Sequence, residues 1–538
     1  MFVIFFLFLQ IKNINLKKLF TSILLPAIIT FLGTSCARIG SPTGGEKDKQ
    51  PPKILNITPP NLSTNFKSKR IIIRFDEFIQ LKDLNKNLLI TPHLKHQPDI
   101  SPMGTASKEI RIDIKDTLLP NTTYIFNFGE SIVDFNEANK YGDFRYVFST
   151  GNAIDSLSLK GKVTPVHFDK KPEKILVGLY KKDDFKDSII FREPPYYISF
   201  TDKSGNFTFN YLSKGDYKVI ALLDENHNYV YNRDKEAVGF KNDWINIPKD
   251  TLIEVLLFKE IPKFSLDDVK QLSKNHLQIT YKGKADSLMI KPISKIEKSA
   301  IITQPKKMDY WYRSKEDTLK LDIIYKKHNR KFKKKRSKNI DSLRLIMNKR
   351  GLFNPLDTLM LTGNMPLVSV DKNLIKFMAD SVSIPFKIHK NNRFNLIFDF
   401  DKQTGKNYDL QVLPKAVSDF LGNKNKDTLQ VNFKIPNEKK YGNLVLEIPS
   451  IKKNYFVEIL DNNHRVIQKS KTSKSNKLKF SYLKPGKYFV RIIYDDNKNN
   501  KWDTGNYLLH IQPEKSVLIE NVIEIRANWD VNQKIELK

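Results

Sequence analysis

Hydrophobic and polar positions alternate along most of this chain, in short runs such as Arg70 to Phe75, Glu109 to Ile114 and Thr123 to Phe128, separated by Asn, Asp, Gly and Pro. A period of two places every second side chain on one face of a strand, so the pattern predicts half-buried β-strands joined by turns. Helical periodicity is scarce and confined to Leu266 to Ser273 and Ser337 to Lys349, which read as two short helices. The expected fold class is all-β, organised as serial β-sandwich domains.

One segment breaks the alternation. Leu19 to Leu32 is almost continuously apolar, follows the basic pair Lys17-Lys18, and leads into Gly33-Thr34-Ser35 ahead of Cys36. A basic start, an apolar run and small residues make a cleavable export signal. A membrane span needs about 20 apolar residues; this run is shorter and carries Pro26 and Thr30. Residues 1–35 are therefore expected to be removed, and the small, polar residues 36–50 to form a tether.

Two internal repeats organise the rest of the chain. YLSKGDYKVIALLDENHNYVYN (Tyr211 to Asn232) aligns without a gap on YLKPGKYFVRIIYDDNKNNKWD (Tyr482 to Asp503). Gly215 then matches Gly486, Tyr217 matches Tyr488, and Asp224, Asn226 and Asn228 match Asp495, Asn497 and Asn499. More faintly, TYIFNFGESIVDF aligns on NYDLQVLPKAVSDF with one inserted residue, bringing Asp134-Phe135 onto Asp419-Phe420. The order reads A-B-spacer-A′-B′, an ancestral pair of modules duplicated around intervening material.

Three segments resemble known families. Gly33-Thr34-Ser35-Cys36 is similar to the lipobox of bacterial lipoproteins, although Gly33 replaces the usual Leu. That resemblance implies lipidation of Cys36 as the first mature residue. PPKILNITPPNLSTNF, RIIIRFDEFIQLKD, LLPNTTYIFNFGESIVDFNEAN and FRYVFSTG look like the SbsA-type bacterial Ig-like domain of Bacteroidota envelope lipoproteins. It implies a β-sandwich at 51–150 and carries no catalytic residues. The B modules, 156–257 and 442–538, resemble the transthyretin-like or carboxypeptidase-regulatory sandwich through Y-L-x-x-G-x-Y-x-V. Between them the expectation is a β-rich domain at 262–365, with a basic loop at 326–350, and a second Ig-like domain at 366–437.

Composition adds two constraints. Cys36 is the only cysteine, so no internal disulfide forms. The net charge of +32 would ordinarily raise nucleic acid as a partner. Here the Lys excess runs through every region and an exported chain seldom meets nucleic acid. The expected partners are the membrane, through the lipid, and an envelope protein or an anionic glycan.

Candidate chemistry is sparse. Asp224, Asn226, Asn228 and Asn232, and again Asp495, Asn497, Asn499 and Asp503, follow the opening of the Ca²⁺ loop pattern D-x-[DN]-x-[DN]. Tyr229 and Asn500 occupy the sixth position, where that pattern places Gly, and Lys235 and Asn506 the twelfth, where it places Glu. The alternative is a loop whose Asx side chains bond its own backbone, with no cofactor. The run KKHNRKFKKKRSK, with Lys331, Lys333, Lys334, Lys335 and Arg336, reads either as a polyanion-binding loop or as a solvated loop between two strands. Tyr310, Trp311 and Tyr312 read either as a glycan-stacking platform or as core and rim. Asp76-Glu77 are adjacent on a strand and point to opposite faces, so they cannot share a reacting centre.

No H-E-x-x-H, G-x-S-x-G or Walker-type loop occurs. The function expected is that of an outer-membrane lipoprotein of the cell envelope with a structural, adhesive or binding role and no catalysis. An envelope assembly factor is the first alternative. A glycan-active enzyme with its site in the middle region is the second.

Overall fold

The computed structural model describes residues 48–168, 170–449 and 453–536. The expected export signal at 1–35, Cys36 and most of the expected tether lie outside them. Among the described residues strands dominate, and the helical content is one α-helical turn, Leu84–Asn87, with four 3₁₀ turns. The chain is all-β.

The first unit is a two-sheet sandwich. Arg70–Leu81 pairs antiparallel with Ile54–Thr58 on one side and Ser107–Asp113 on the other. The facing sheet is Leu89–Thr91, Thr123–Gly129 and Phe144–Ser149. Alternation explains the core: Ile71, Ile73, Phe75, Ile110 and Ile112 point inward against Phe126, Phe128, Tyr146 and Phe148.

The two B modules share a topology that the aligned sequence only implied. In the first, Leu157–Pro165 pairs antiparallel with Asn206–Leu212 and parallel with Leu252–Phe258. In the second, Gly442–Glu447 pairs antiparallel with Lys477–Leu483 and parallel with Asp530–Lys534. Leu176–Lys181 lies beside Gly215–Leu222, as Tyr455–Leu460 lies beside Gly486–Tyr494. These pairings correspond between the copies, except that in the first Val238–Phe240 also pairs with Leu252–Phe258 and joins its strands into one sheet.

The middle region differs from expectation in three ways. Leu266 to Ser273 is not helical: Ser265–Ser273 is a strand paired with His276–Lys282. Ser337 to Lys349 is not helical either, and its ordered part is the strand Leu345–Met347. The basic loop at 326–350 begins instead with a strand, His328–Lys335, which forms a hairpin with Thr318–Tyr325. For the first and third, burial of alternate side chains decides, with Val269, Leu277 and Ile279 in one sheet and Leu319, Leu321 and Ile323 in the other enclosing a single core.

The boundary at 366 also moves. Met347, Phe353, Leu359 and Leu361 belong to the same core as Leu367, Phe377, Phe398 and Phe433. Leu345–Met347 and Leu359–Gly363 complete the sheet of Asn395–Phe400. The second A unit thus starts near residue 343, and the spacer is the smaller sandwich of Ser265–Ser273 through His328–Lys335.

Candidate functional site

The densest meeting of polar groups lies between the two B modules. Glu260, buried at the end of the first, has a carboxylate that accepts from the Tyr231 hydroxyl at 2.8 Å and from the Tyr507 backbone N–H at 2.8 Å. The Arg233 guanidinium lies 2.9 Å from the same carboxylate and neutralises it. Around this ion pair the segment after the second Asx loop is sewn down: Thr504 donates to the Lys259 carbonyl at 2.7 Å, and Gln512 to that of Phe240 at 3.0 Å. Trp502 stacks on His167, and Tyr507 is buried among Tyr180, Tyr231 and Phe240. Burial, then the Glu260 charge, pushes the Tyr231 hydroxyl far above its ordinary pKa, so it remains a donor.

The structure brings each predicted Asx set together as a self-bonded loop. The two Asp224 oxygens accept from the backbone N–H of Asn228 and Tyr229, at 3.2 and 3.0 Å. Those of Asp495 accept from Asn499 and Asn500, at 3.0 and 2.9 Å. Asn226, Asn228, Asn497 and Asn499 each cap the N–H two residues on. Asn497 and Asn499 also donate to Asp503, and Asn232 donates to Asn228. Tyr229 and Asn500 take positive φ, 61° and 57°, where the aligned pattern wants Gly.

Sequence reasoning missed one member of each loop. Glu236 accepts from the Asn232 N–H at 2.8 Å, and Glu514 from the Asp503 N–H at 2.9 Å. Burial pushes both carboxyls up. The equivalence was hidden because Glu514 lies beyond the aligned segment. Among the described residues no group of three His, Cys, Asp or Glu side chains is arranged to hold a metal.

Other candidates resolve simply. Tyr310 and Tyr312 are buried in the spacer core, and Trp311 is buried against Met365 and Phe420 of the next unit, so no glycan platform exists there. Beside Trp311, His276 bonds Asp309 at 2.8 Å and stacks on the indole. Burial pushes the Asp309 carboxyl up, but bonds from His276 and Gln278 outweigh it and hold it below the usual range. This His-Asp pair is sealed between units. Asp76 accepts from the Lys53 N–H at 2.8 Å, a strand contact. Of the basic run, Arg336 is anchored to the carbonyls of Lys274 and Ser314, while Lys331, Lys333, Lys334 and Lys335 extend along the edge strand.

The two-sheet geometry of the first unit agrees with its sequence relationship. Residues 48–150 match the bacterial Ig-like domain family. No curated protein matches the chain. Among solved structures, surface layer protein SbsC (domains 1–6) is 9% identical with a TM-score of 0.15, over 88% of this chain and 67% of its own. BcpA, the major pilin subunit of Bacillus cereus, is 10% identical with a TM-score of 0.14, over 71% and 99%. A titin I9–I11 tandem is 10% identical with a TM-score of 0.14, over 53% and 99%. Likenesses of this size establish neither a shared whole-chain arrangement nor a shared role.

Within the bacterial Ig-like domain, buried Asp134 ends the strand Ile132–Asp134 and accepts from the N–H groups of Glu137, Ala138 and Asn139. Asp419 does the same for Leu421 and Asn423. The Asp-Phe coincidence in the faint repeat is thus a turn-forming carboxylate. Between this domain and the first B module runs a polar cleft of about 450 Å³, bridged by Lys174, which donates to the Lys86 carbonyl.

Proposed function

We propose that this protein is a non-catalytic structural and adhesive component of the cell envelope, held to the outer membrane by lipid on Cys36. The interlock at Glu260 carries the structural half of this reading. Charged and aromatic groups converge at a contact between modules, where they fix one B copy onto the other. Such packing suits a scaffold that must keep its shape outside the cell, and the bacterial Ig-like domain supports the same reading.

The anchor is tested by detergent phase partitioning of membranes from cells producing the full chain. The native protein should enter the detergent phase and Cys36→Ala should leave it. Equal partitioning of the two would sink the anchor.

An assembly role has one observation in its favour. The edge strand Val466–Lys469 exposes Val466 and Ile467 beside exposed Leu352 and Leu356, an unpaired apolar edge of the kind that recruits a second chain. Solubilisation in mild detergent should then recover a stoichiometric envelope protein that Ile467→Lys releases. Recovery of the same protein with Ile467→Lys would exclude this edge.

A further inference from the structure

Strand register sorts the basic run into two faces. On the hairpin, Leu319, Leu321 and Ile323 point into the spacer core; of their partners on that side of the sheet, Phe332 packs against the core, while Lys334 and Arg330 are exposed. The opposite face carries Lys320 directly across from Lys333, Asp322 across from Lys331, and Thr318 across from Lys335. The third strand, Leu288–Pro292, adds Lys291 beside Asp322 and Met289 beside Ile324. Five lysines and one carboxylate therefore share one exposed sheet face, and Lys291 and Lys320 come from outside the basic run itself. Alternate residues on a strand are about 7 Å apart and neighbouring strands about 5 Å, so the ammonium groups form a close grid.

Within the described residues Asp322, between Lys331 and Lys291, and Glu316, near Lys320, offset this grid only in part. None of the five ammonium groups there lies within 4 Å of a carboxylate, and Asp322 Oδ1 is buried with no hydrogen-bond partner. Like charges directly opposite, as at Lys320 and Lys333, cost stability that a bound polyanion would recover.

We infer that this face binds an acidic polysaccharide, a flexible polymer of carboxylate- or sulfate-bearing sugars. Strand twist curves the row Lys331-Lys333-Lys335 away from a plane, so a flexible chain can follow it while a flat bilayer meets only part of it. Membrane insertion needs an apolar flank, and the face offers only Met289 and Ile324. Single-stranded nucleic acid is held by aromatic stacking, and no aromatic residue points outward here. This inference is independent of the scaffold reading, which stands if it fails.

Heparin is the probe, with the full chain in detergent. Replacing Lys320, Lys331, Lys333 and Lys335 by Gln should weaken heparin binding roughly tenfold or more and flatten its salt dependence. Replacing Lys326, Lys327, Lys334 and Lys338 by Gln removes the same charge elsewhere and should change affinity less than about threefold. Melting temperatures identify any variant that fails to fold. In that event the single reversals Lys333→Glu and Lys334→Glu repeat the comparison, with loss expected only for the first. Equal loss in both sets, or no loss in either, overturns the inference. So does a face variant that loses phosphatidylglycerol vesicles or single-stranded DNA while keeping heparin.

Discussion

Tyr211 and Tyr482 sit at equivalent positions of the two B modules, and both adopt positive φ, 58° and 57°, which is costly for an aromatic residue. Each lies where strand pairing shifts register, and six residues on the second tyrosine of the motif repairs the turn. Tyr217 donates to the Ser213 carbonyl at 2.9 Å and Tyr488 to that of Lys484 at 2.8 Å. Y-L-x-x-G-x-Y is thus a left-handed bulge closed by a hydroxyl. The spelling was readable from the sequence, but its purpose was not, because the bond spans a turn whose backbone no alternation reveals. Tyr488→Phe should destabilise the protein by about 1 kcal/mol, the net worth of a hydrogen bond, measured as a shift in urea midpoint at unchanged m-value. Asp134 gives a pH signature. Burial raises its carboxyl, and N–H bonds from Glu137 and Asn139 outweigh this and hold it below the usual value. A depressed carboxyl contributes stability above its unfolded pKa of about 3.9 and loses it as pH falls through the lower folded value. Asp134→Asn should remove that acid limb, so the gap between variant and native melting temperatures should narrow below about pH 4.

At the scale of elements, alternation located the strands Arg70–Leu81, Ser107–Asp113 and Thr123–Gly129, because half-buried strands must alternate. It failed where the exposed face was lysine. His328–Lys335 has one inward apolar residue, Phe332, so its periodicity is carried by the partner strand rather than by itself. Ser265–Ser273 mimicked a helix because Leu266, Val269 and Leu272 are spaced by three, yet Leu272 is exposed and a register shift between Gln271 and Ser273 accommodates it. The Asx loops are elements in the same sense, held by two carboxylate oxygens each. Asp495→Ala strands two backbone N–H groups and should cost about 1–3 kcal/mol. In the self-bonded role that stability needs no cation: the melting temperature of the native chain should be the same in millimolar Ca²⁺ and in chelator. A rise with Ca²⁺ that Asp495→Ala abolishes would assign the loop to the ion instead.

For the whole molecule, the duplication was legible and the way its copies meet was not. Tyr231 and its counterpart Trp502 occupy the same place in the two B modules, and both feed the cluster between them. Glu260 and Tyr507 lie outside the aligned segment, so the contact depends on residues that the repeat does not contain. If the interlock joins the modules energetically, they should unfold together. Glu260→Gln leaves the Arg233 charge buried without its partner, a change that costs about 3–5 kcal/mol in comparable sites. Glu260 bonds Tyr231 and Arg233 within the first module and the Tyr507 N–H of the second, so part of the penalty falls on the contact. Calorimetry of the variant should accordingly split one B-module transition into two, and proteolysis should open the segment from Trp502 to Gln512, which the native contact protects. A uniform drop of a single unsplit transition would place Glu260 in the core of one module and remove the case for an interlocked scaffold.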